Sequence, residues 1–206
     1  MNKIKHFTFK VVVIGDEKVG KTTLCKNFLW GISQHEYKSA MGADFYMYPW
    51  YSYLDEFKTE LHVRWLLFDL TGQFFEFQTI RPLFYRGAHA AIIVFDISRP
   101  ETFKSIPMWI YEFWRDSSPG TVEKRPFIIA GNKADLRGTV ENCLPRELAE
   151  DYVKRVANGL NFEPAYVEIS VLHGWNTEDL LKKLLIAILK YYGYSDMLLK
   201  TSGERQ

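Results

Sequence analysis

The sequence predicts a single α/β domain in which helices cover both faces of a mostly parallel sheet. Two observations lead to this prediction: short apolar runs alternate with helical patterns, and two of the runs are apolar throughout. Continuous apolar runs are typical of parallel strands buried on both faces, and strand–helix alternation supplies the crossover connections. The length of 206 residues and the hydrophobic fraction of 47% suit one domain with a sizeable core.

The first half of the chain begins with a strand and a helix and then changes to a hairpin. A β-branched run at residues 9–14 is followed by a Gly-rich turn and a helical pattern at 21–30. Two strand patterns at 43–53 and 61–69 are joined by a short polar segment. Because that segment leaves no room for a crossover helix, these strands are predicted to form an antiparallel hairpin.

The second half continues the alternation of strands and helices. The continuous apolar runs at 90–97 and 127–130 predict buried strands, with a helix at 102–114 between them. Three further predicted elements complete the pattern: a helix at 144–156, a strand at 165–169 and a leucine-rich helix beginning near Asn176.

The composition excludes several classes of function. Lysine and arginine total 26 against 25 aspartate and glutamate, so no global field favours a nucleic acid as partner. Two cysteines cannot form a disulfide framework, and no apolar run approaches the ~20 residues of a membrane-spanning helix. The polar segment 201–206 has no cysteine, so no lipid anchor is expected there. We therefore expect a cytoplasmic protein.

The strongest chemical signal is the segment 15–22, GDEKVGKT, which fits the pattern G-x-x-x-x-G-K-[ST] between a predicted strand and a predicted helix. Its glycines let backbone N–H groups approach a phosphate, and the helix N-terminus directs a positive dipole at the anion. Lys21 adds a cation for the terminal phosphates, and the Thr22 hydroxyl suits Mg²⁺. The segment therefore predicts a phosphate-binding loop.

A second signal is the tetrapeptide 132–135, NKAD, which directly follows a predicted buried strand. The Asp135 carboxylate can accept two N–H bonds from the edge of guanine, and adenine lacks that pair of donors. Residues 170–172 follow the last predicted strand and are expected to offer backbone N–H groups to the same base. Together with the phosphate loop, this tetrapeptide predicts a guanine nucleotide as ligand.

The motifs stand in the order and at the spacing of small GTPases, and the chain resembles the Ras superfamily from about residue 9 to residue 192. Within the superfamily the Rab branch is the most similar, on residues 37–45 and 84–88. The motifs that carry the resemblance are the phosphate loop, Asp69-x-x-Gly72-Gln73, Asn132-Lys133-x-Asp135 and Glu168-x-Ser170. The resemblance implies a three-layer P-loop NTPase fold with a six-stranded, mostly parallel sheet, one antiparallel edge hairpin and about five helices.

The resemblance also implies the ligands, GTP or GDP with Mg²⁺, and the residues that hold them. Gln73 would be the catalytic residue that orients the attacking water, and Thr22 and Asp69 would hold the metal ion. The residues expected to contact the nucleotide are Glu17, Lys18, Val19, Gly20, Lys21, Thr22, Thr23, Gly72, Asn132, Lys133, Asp135, Ser170, Val171 and Leu172. The GTPase domain is expected at 9–193, between an N-terminal extension at 1–8 and a loose polar tail at 194–206.

The chain departs from the family pattern near the expected phosphate site. Ala40 occupies the position of the family's switch-I threonine, which leaves Ser39 as a substitute only if the loop shifts by one residue. Glu17 and Lys18 replace small residues of the phosphate loop. Glu17 would either obstruct an arginine finger or point outward beside Lys18 as a solvated pair.

Two further departures concern the base and the second of the family's two switch loops, which report the γ-phosphate. Ile32 or Ser33 falls where the family has an aromatic residue that stacks on guanine, and Phe74 and Phe75 follow Gln73 in place of an acidic–basic pair. We expect binding to survive these changes more surely than hydrolysis, because binding draws on many backbone contacts. Intrinsic turnover is expected on the order of 10⁻⁴ s⁻¹ or below.

Two functions remain open from the sequence. The first is a GTP/GDP switch with slow hydrolysis, in signalling or in regulation of the membrane-trafficking type. The alternative is a GTP-binding scaffold with little or no hydrolysis. The tetrapeptide at 132–135 disfavours an ATP-using enzyme. For a switch, the resemblance implies an exchange factor, a GTPase-activating protein and effectors as partners.

The predicted hairpin is rich in aromatic residues, which offers a candidate contact surface. Three of the rings are expected to form a hydrophobic triad beneath the switches: Phe45, Phe68 and Phe84. Three others lie nearer the tip and are harder to bury: Tyr48, Trp50 and Tyr51. These are expected either to contact an effector or a second copy of the chain, or to pack against each other within the long hairpin.

Overall fold

The computed structural model describes residues 4–28, 36–38, 43–54, 59–70, 79–121 and 123–194. Its strands are β1 (Ile4–Ile14), β2 (Glu36–Lys38), β3 (Ala43–Leu54), β4 (Thr59–Leu70), β5 (Ala90–Asp96), β6 (Phe127–Asn132) and β7 (Ala165–Glu168). Its helices are α1 (Lys21–Phe28), α2 (Arg81–Tyr85), α3 (Pro100–Lys104), α4 (Ile106–Ser117), α5 (Arg146–Ala157) and α6 (Thr177–Tyr191). A 3₁₀ turn, Ala134–Leu136, follows β6.

The strands form one sheet in the order β2-β3-β4-β1-β5-β6-β7. β4, β1, β5, β6 and β7 pair in parallel, whereas β3 runs antiparallel to β4, from the pair Ala43–Leu70 to the pair Leu54–Thr59. This confirms the predicted fold class, including the hairpin at one edge. The three-residue strand β2 is a seventh strand beyond the six expected, and it extends that edge by antiparallel pairing with β3.

Helices cover both faces of the sheet, as the continuous apolar strands predicted. One core cluster lies between the sheet and helices α1 and α6, with Leu24 and Leu184 among its members. The other lies between the sheet and helices α2, α4 and α5, with Tyr85, Trp109 and Val153 among its members. β5 and β6 are buried along their whole length because they lie between these two layers.

Two predicted boundaries are corrected by the structure. β1 begins at Ile4 and not at residue 9. Its first five residues alternate between exposed and partly buried positions and contain no continuous apolar run, so their pattern is less obvious. The helix predicted at 102–114 is divided at Ser105 into α3 and α4. Pro107 lies in the first turn of α4, where its missing N–H costs no helical hydrogen bond.

Candidate nucleotide site

The phosphate loop connects β1 to α1, and both of its glycines have left-handed backbone angles. Gly15 has φ = 137°, and a Cβ atom there would lie 2.1 Å from the Val94 carbonyl oxygen. Gly20 has φ = 102°, and a Cβ atom there would lie 2.2 Å from Asn132 Nδ2. Side chains are therefore excluded at both positions, and the loop backbone packs directly on β5 and on the last residue of β6.

Lys21 is buried at the start of α1, with its ammonium group above the loop. Its Nζ atom donates to the carbonyl oxygens of Gly15 at 3.0 Å and Asp16 at 2.7 Å. Burial lowers the pKa of Lys21 to about 8, although the carboxylates of Asp69 and Asp16 act in the opposite direction. A phosphate beside this ammonium would supply the negative charge that favours its protonated form.

Thr22 and Asp69 meet at the carboxyl edge of the sheet. The Thr22 hydroxyl donates to Asp69 Oδ2 at 2.5 Å, and Asp69 lies at the end of β4, beside the phosphate loop. Burial raises the pKa of Asp69, and the hydrogen bond from Thr22 acts against that rise. Mg²⁺ in nucleotide sites takes hard oxygen ligands, one or two of them from protein carboxylates and the others from phosphates and water. A hydroxyl and a carboxylate in contact fit that donor set.

Asn132 joins the phosphate loop to the loop that follows β7. Its buried side chain donates from Nδ2 to the Val19 carbonyl at 2.8 Å and accepts from the Val171 N–H at Oδ1, at 3.1 Å. A single amide group thus satisfies one acceptor and one donor of two separate loops. The phosphate loop and the residues after β7 are therefore held in one fixed arrangement.

Asp135 lies in the 3₁₀ turn after β6, opposite Ser170. The Ser170 hydroxyl donates to Asp135 Oδ1 at 2.5 Å, and the Ala134 N–H donates to the Ile169 carbonyl at 3.0 Å. These bonds orient the carboxylate at the edge of the sheet where ligands of α/β proteins bind. Asp135 and Ser170, which the sequence predicted as one site, are in contact.

Lys133 adopts a left-handed backbone conformation with φ = 68°, and its side chain turns back to the end of β5. Its Nζ atom lies 2.5 Å from Asp96 Oδ2, which also accepts from Arg99 Nε at 3.0 Å. Arg99 Nη2 in turn donates to the Glu17 carbonyl at 2.8 Å. Burial acts to raise the pKa of Asp96, but the hydrogen bonds that it accepts lower it overall.

Asp96 and Arg99 connect the base motif to the phosphate loop, and neither residue was expected there from the sequence. A signal was available for the first. Asp96 is the last residue of a buried strand, just as Asp69 stands at the end of β4. Carboxylates at the carboxyl ends of parallel strands in one sheet lie along one edge, so Asp96 could have been added to the site by that rule.

Glu168, the last residue of β7, is held by side chains beside the site. Its carboxylate accepts hydrogen bonds from Arg137, from Arg146 at 2.8 Å and from the Tyr166 hydroxyl at 2.9 Å. Burial acts to raise the pKa of Glu168, but these bonds outweigh it and lower the pKa to about 2. The glutamate of the Glu168-x-Ser170 motif therefore anchors the end of β7, and it leaves the contact with Asp135 to Ser170.

The remaining predicted residues divide by their surroundings. Val19 and Val171 are buried, whereas Glu17, Lys18 and Thr23 are exposed at the phosphate loop. Leu172, the last of the predicted base contacts, is 76% exposed beside the base motif. Several residues of the sequence analysis lie outside the described part of the chain: Ile32, Ser33, Ser39, Ala40, Gly72, Gln73, Phe74 and Phe75.

The three rings predicted to form a triad are neighbours. The ring centroids of Phe45 and Phe68 are 5.1 Å apart, and those of Phe68 and Phe84 are 6.4 Å apart. These two ring contacts agree with the expected hydrophobic triad.

The three aromatic residues nearer the tip do not form one exposed surface. Trp50 is buried and its ring packs at 6.4 Å from Trp65, while Tyr48 is half-buried and stacks at 5.8 Å on Phe28. Tyr48 and Trp50 share the face of β3 that packs into the cluster of α1 and α6. The expectation of exposure is therefore wrong for Trp50 and only partly right for Tyr48. Tyr51 points to the opposite face and is 66% exposed.

The fold and the site define a class of protein: a three-layer α/β protein with a phosphate-binding loop and an NKxD motif at one edge of its sheet. Comparison with known proteins agrees with this class. The model of the Ras family matches residues 10–190. No helix in the described ranges is both long and apolar enough to cross a membrane.

Individual relatives cover most of the chain. A "Ras-related protein Rab7" from Drosophila melanogaster is 30% identical over 177 residues, which is 82% of this chain and 82% of that protein. "Ras-related protein RABG3b" from Arabidopsis thaliana is 29% identical over 179 residues, 87% of this chain and 82% of that protein. "Ras-related protein Rab7" from Cenchrus ciliaris is 29% identical and covers 88% of this chain and 82% of its own length.

The chain therefore belongs to the Ras family and is a Rab-like small GTPase. Members of this family bind GTP or GDP with Mg²⁺ and interact with exchange factors, GTPase-activating proteins and effectors. The comparisons give no support to the alternative of a scaffold without hydrolysis.

Proposed function

We propose that this protein binds GTP and GDP through the site described above and acts as a slowly hydrolysing switch in regulation of the membrane-trafficking type. One observation carries the proposal. The Asn132 side chain bonds both the Val19 carbonyl and the Val171 N–H, so the loops for the phosphates and for the base are parts of one site. The Rab-like family membership supports the trafficking role.

In this proposal the residues divide between the phosphates, the metal and the base. The N–H groups of the phosphate loop and the Lys21 ammonium bind the phosphates, and Thr22 and Asp69 hold Mg²⁺. When bound, Mg²⁺ neutralises charge on the phosphate oxygens. The Asp135 carboxylate accepts the two N–H bonds of guanine, while Ser170 fixes its orientation.

Hydrolysis in this proposal depends on Gln73, which lies four residues after Asp69 and orients the attacking water. The N–H of Gly72 meets the γ-phosphate in the same segment. Ala40 has no hydroxyl to serve as a further oxygen ligand, and Ser39 could take that role only if the loop shifted by one residue. Because catalysis depends on a few positioned groups, this loss slows the chemical step more than it weakens binding.

The proposal extends to partners and location. An exchange factor, a GTPase-activating protein and effectors would act on a protein that works in the cytoplasm. The outward face of the hairpin is the proposed contact surface, and it narrows to Tyr51 and its neighbour Tyr53, which are 66% and 48% exposed. Exposed aromatic side chains are enriched at recognition surfaces.

Single-turnover hydrolysis of pre-loaded GTP tests the proposal. We expect phosphate release on the order of 10⁻⁴ s⁻¹ or below, but above the buffer blank. Gln73→Leu removes the group that orients water and should slow release by at least about tenfold. Gln78→Leu, a second glutamine from the same segment, is the matched control and should keep the wild-type rate. Release indistinguishable from the blank would replace the switch by the binding scaffold.

A further inference from the structure

The carboxylate of Asp16, within the phosphate loop, is held by helix α4. The indole Nε1 of Trp109 donates to Asp16 Oδ1 at 2.7 Å, and the Ser105 hydroxyl donates to Oδ2 at 2.8 Å. Trp109 is 2% exposed, so the indole side of this contact is buried. The phosphate loop is thus bonded directly to the start of α4, independently of the base motif.

Helix α2 is attached to the same tryptophan from the other side. The Arg81 guanidinium carbon lies 5.0 Å from the centre of the Trp109 ring. Arg81 Nη1 also donates to both carboxylate oxygens of Glu112, at 2.9 and 3.1 Å. Arg81 is 2% exposed and the Glu112 side chain 10%. These contacts combine a cation–π interaction with a buried ion pair between α2 and α4.

Tyr85 completes the connection, which we call the α2–α4 tether (Arg81, Tyr85, Trp109 and Glu112). The Tyr85 hydroxyl donates to Glu112 Oε1 at 3.0 Å. Arg81 and Tyr85 are four residues apart on α2, so both lie on the face that meets α4. Burial raises the pKa of Tyr85, and the neighbouring Glu112 carboxylate raises it further, so the phenol stays a neutral donor.

The tether lies at one end of the segment that contains Gly72 and Gln73. Residues 71–80 separate β4 from α2 and carry Gly72 and Gln73. Leu70, the last residue of β4, is buried and fixes the beginning of the segment. Arg81, the first residue of α2, fixes its end. The phosphate loop therefore sets the end point of this segment through Asp16, Trp109 and Arg81.

Stability alone does not account for this arrangement. A buried ion pair is often no more stabilising than well-packed apolar residues of similar size, because both charges must leave water. Its directional bonds do fix how α2 sits on α4. If these bonds between α2 and α4 form in one conformation of the segment and not in another, they change the free-energy difference between the two conformations. A ligand that binds one conformation more tightly is then coupled to the placement of α2.

We propose that Arg81 is a positioning residue for the γ-phosphate-sensing segment and that, through Trp109 and Asp16, it couples the placement of α2 to the phosphate loop. The inference rests on the proposed function, because it assumes that the segment meets the γ-phosphate. In this proposal the tether fixes where α2 begins, and so limits the positions open to the segment that carries Gly72. Its loss weakens triphosphate binding more than diphosphate binding, since a diphosphate lacks the γ-phosphate.

Titration with fluorescent mant-GDP and mant-GppNHp, in the presence of Mg²⁺, tests the coupling. Arg81→Gln removes the charge from the tether, and Trp109→Phe removes the indole N–H that bonds Asp16. Each variant should weaken mant-GppNHp binding relative to mant-GDP by at least about fivefold, the lower end of typical coupling between sites. Arg115→Gln is the matched control, because it breaks an exposed ion pair with Asp116 on the same helix and should leave the ratio unchanged.

The Arg81→Gln variant leaves the charge of Glu112 buried without its ion-pair partner, which could prevent folding. A double variant avoids this problem. Replacing both Arg81 and Glu112 by leucine removes the two charges together, so no unpaired charge is buried. It should fold and still show the reduced preference for mant-GppNHp. A wild-type ratio in all folded variants would overturn the inference, as would equal weakening of both nucleotides, which is the result of a purely structural role. Wild-type protein that binds neither nucleotide would instead refute the proposed function, and the inference with it.

Discussion

The two ends of the central sheet hold their side chains in different ways. At the carboxyl edge of the parallel strands, polar groups bond one another, as in the ion pair between Lys133 and the buried Asp96. At the opposite end, the long strands β1 and β3 both pair with β4. Aromatic rings such as those of Trp50 and Trp65 pack against each other there. One end is organised by hydrogen bonds with defined directions and the other by apolar area.

This difference separates ligand binding from stability. Hydrogen bonds fix the geometry that a ligand requires, but each adds little net free energy of folding. Buried aromatic area stabilises strongly and places few demands on direction. We therefore expect substitutions at the carboxyl edge to change nucleotide binding more than stability, and substitutions in the hairpin to do the reverse.

The largest expected effect lies in the hairpin. Trp50→Ala removes a buried ring and leaves a cavity beside Trp65, which should lower the free energy of unfolding by about 3–5 kcal/mol. Urea denaturation measures this loss. At temperatures where the variant remains folded, its affinity for GDP should match that of the wild type. A loss below about 1 kcal/mol would show that apolar packing does not dominate this end of the sheet.

The next effect lies at the carboxyl edge. Lys21→Met keeps the aliphatic part of a buried side chain and removes its charge, so GDP binding should weaken by roughly a hundredfold, or about 3 kcal/mol. Lys18→Asn is the control, since it removes the charge of an exposed lysine in the same loop but keeps the backbone N–H expected to face a phosphate, at a left-handed position that asparagine tolerates. Equal weakening in both variants, in a mant-GDP titration, would mean that net charge rather than the placement of Lys21 binds the phosphates.

A smaller effect should depend on pH. Folding lowers the pKa of Glu168 from 4.5 to about 2, so the ionised form stabilises the folded protein above pH 4.5, and this stabilisation is lost as the pH falls toward 2. Glu168→Gln should therefore lower the free energy of unfolding by about 1–2 kcal/mol at pH 7. This difference in stability between the variant and the wild type should become smaller below pH 4.5.

Thermal unfolding between pH 7 and pH 3 measures that difference. Glu141→Gln, at an exposed glutamate of the nearby loop, is the control and should show no such narrowing. A difference that stays constant over the whole range would mean that the Glu168 carboxylate contributes packing but no charge-dependent stability.

The smallest effect belongs to the exposed side of the hairpin. Tyr51→Ala should change the free energy of unfolding by no more than about 0.5 kcal/mol, because most of the ring is in contact with solvent. Its T-shaped contact with His62, at 4.7 Å between ring centroids, is the main interaction lost. Destabilisation similar to that of Trp50→Ala would contradict the assignment of the two faces.

Features encoded by neighbouring residues could be predicted from the sequence. The phosphate loop, the NKAD tetrapeptide and the antiparallel hairpin each depend on a short pattern with its own physical reason, and the fold class followed from their order. The alternation along β3 places Tyr48 and Trp50 on one face. Which face is covered depends on the packing of α1 and α6, and the local pattern does not contain that information.

Contacts between distant residues could not be predicted in the same way. Arg81 meets Glu112 across 31 positions of the chain, and Trp109 meets Asp16 across 93. No periodicity or spacing rule connects such pairs, because they meet only after α2 and α4 have docked on the sheet. The bond from Arg99 to the Glu17 carbonyl, across 82 positions of the chain, belongs to the same class.

In the proposed function, Asp135 selects the base while the phosphate loop binds the phosphates. The most direct test compares the affinities of GDP and XDP for the wild type and for Asp135→Asn, measured by competition against mant-GDP or mant-XDP. We predict that the wild type prefers GDP and that the variant prefers XDP, because the new amide donates to the xanthine oxygen at position two. A variant that keeps the wild-type preference for GDP, or a wild type that binds neither nucleotide, would contradict the account.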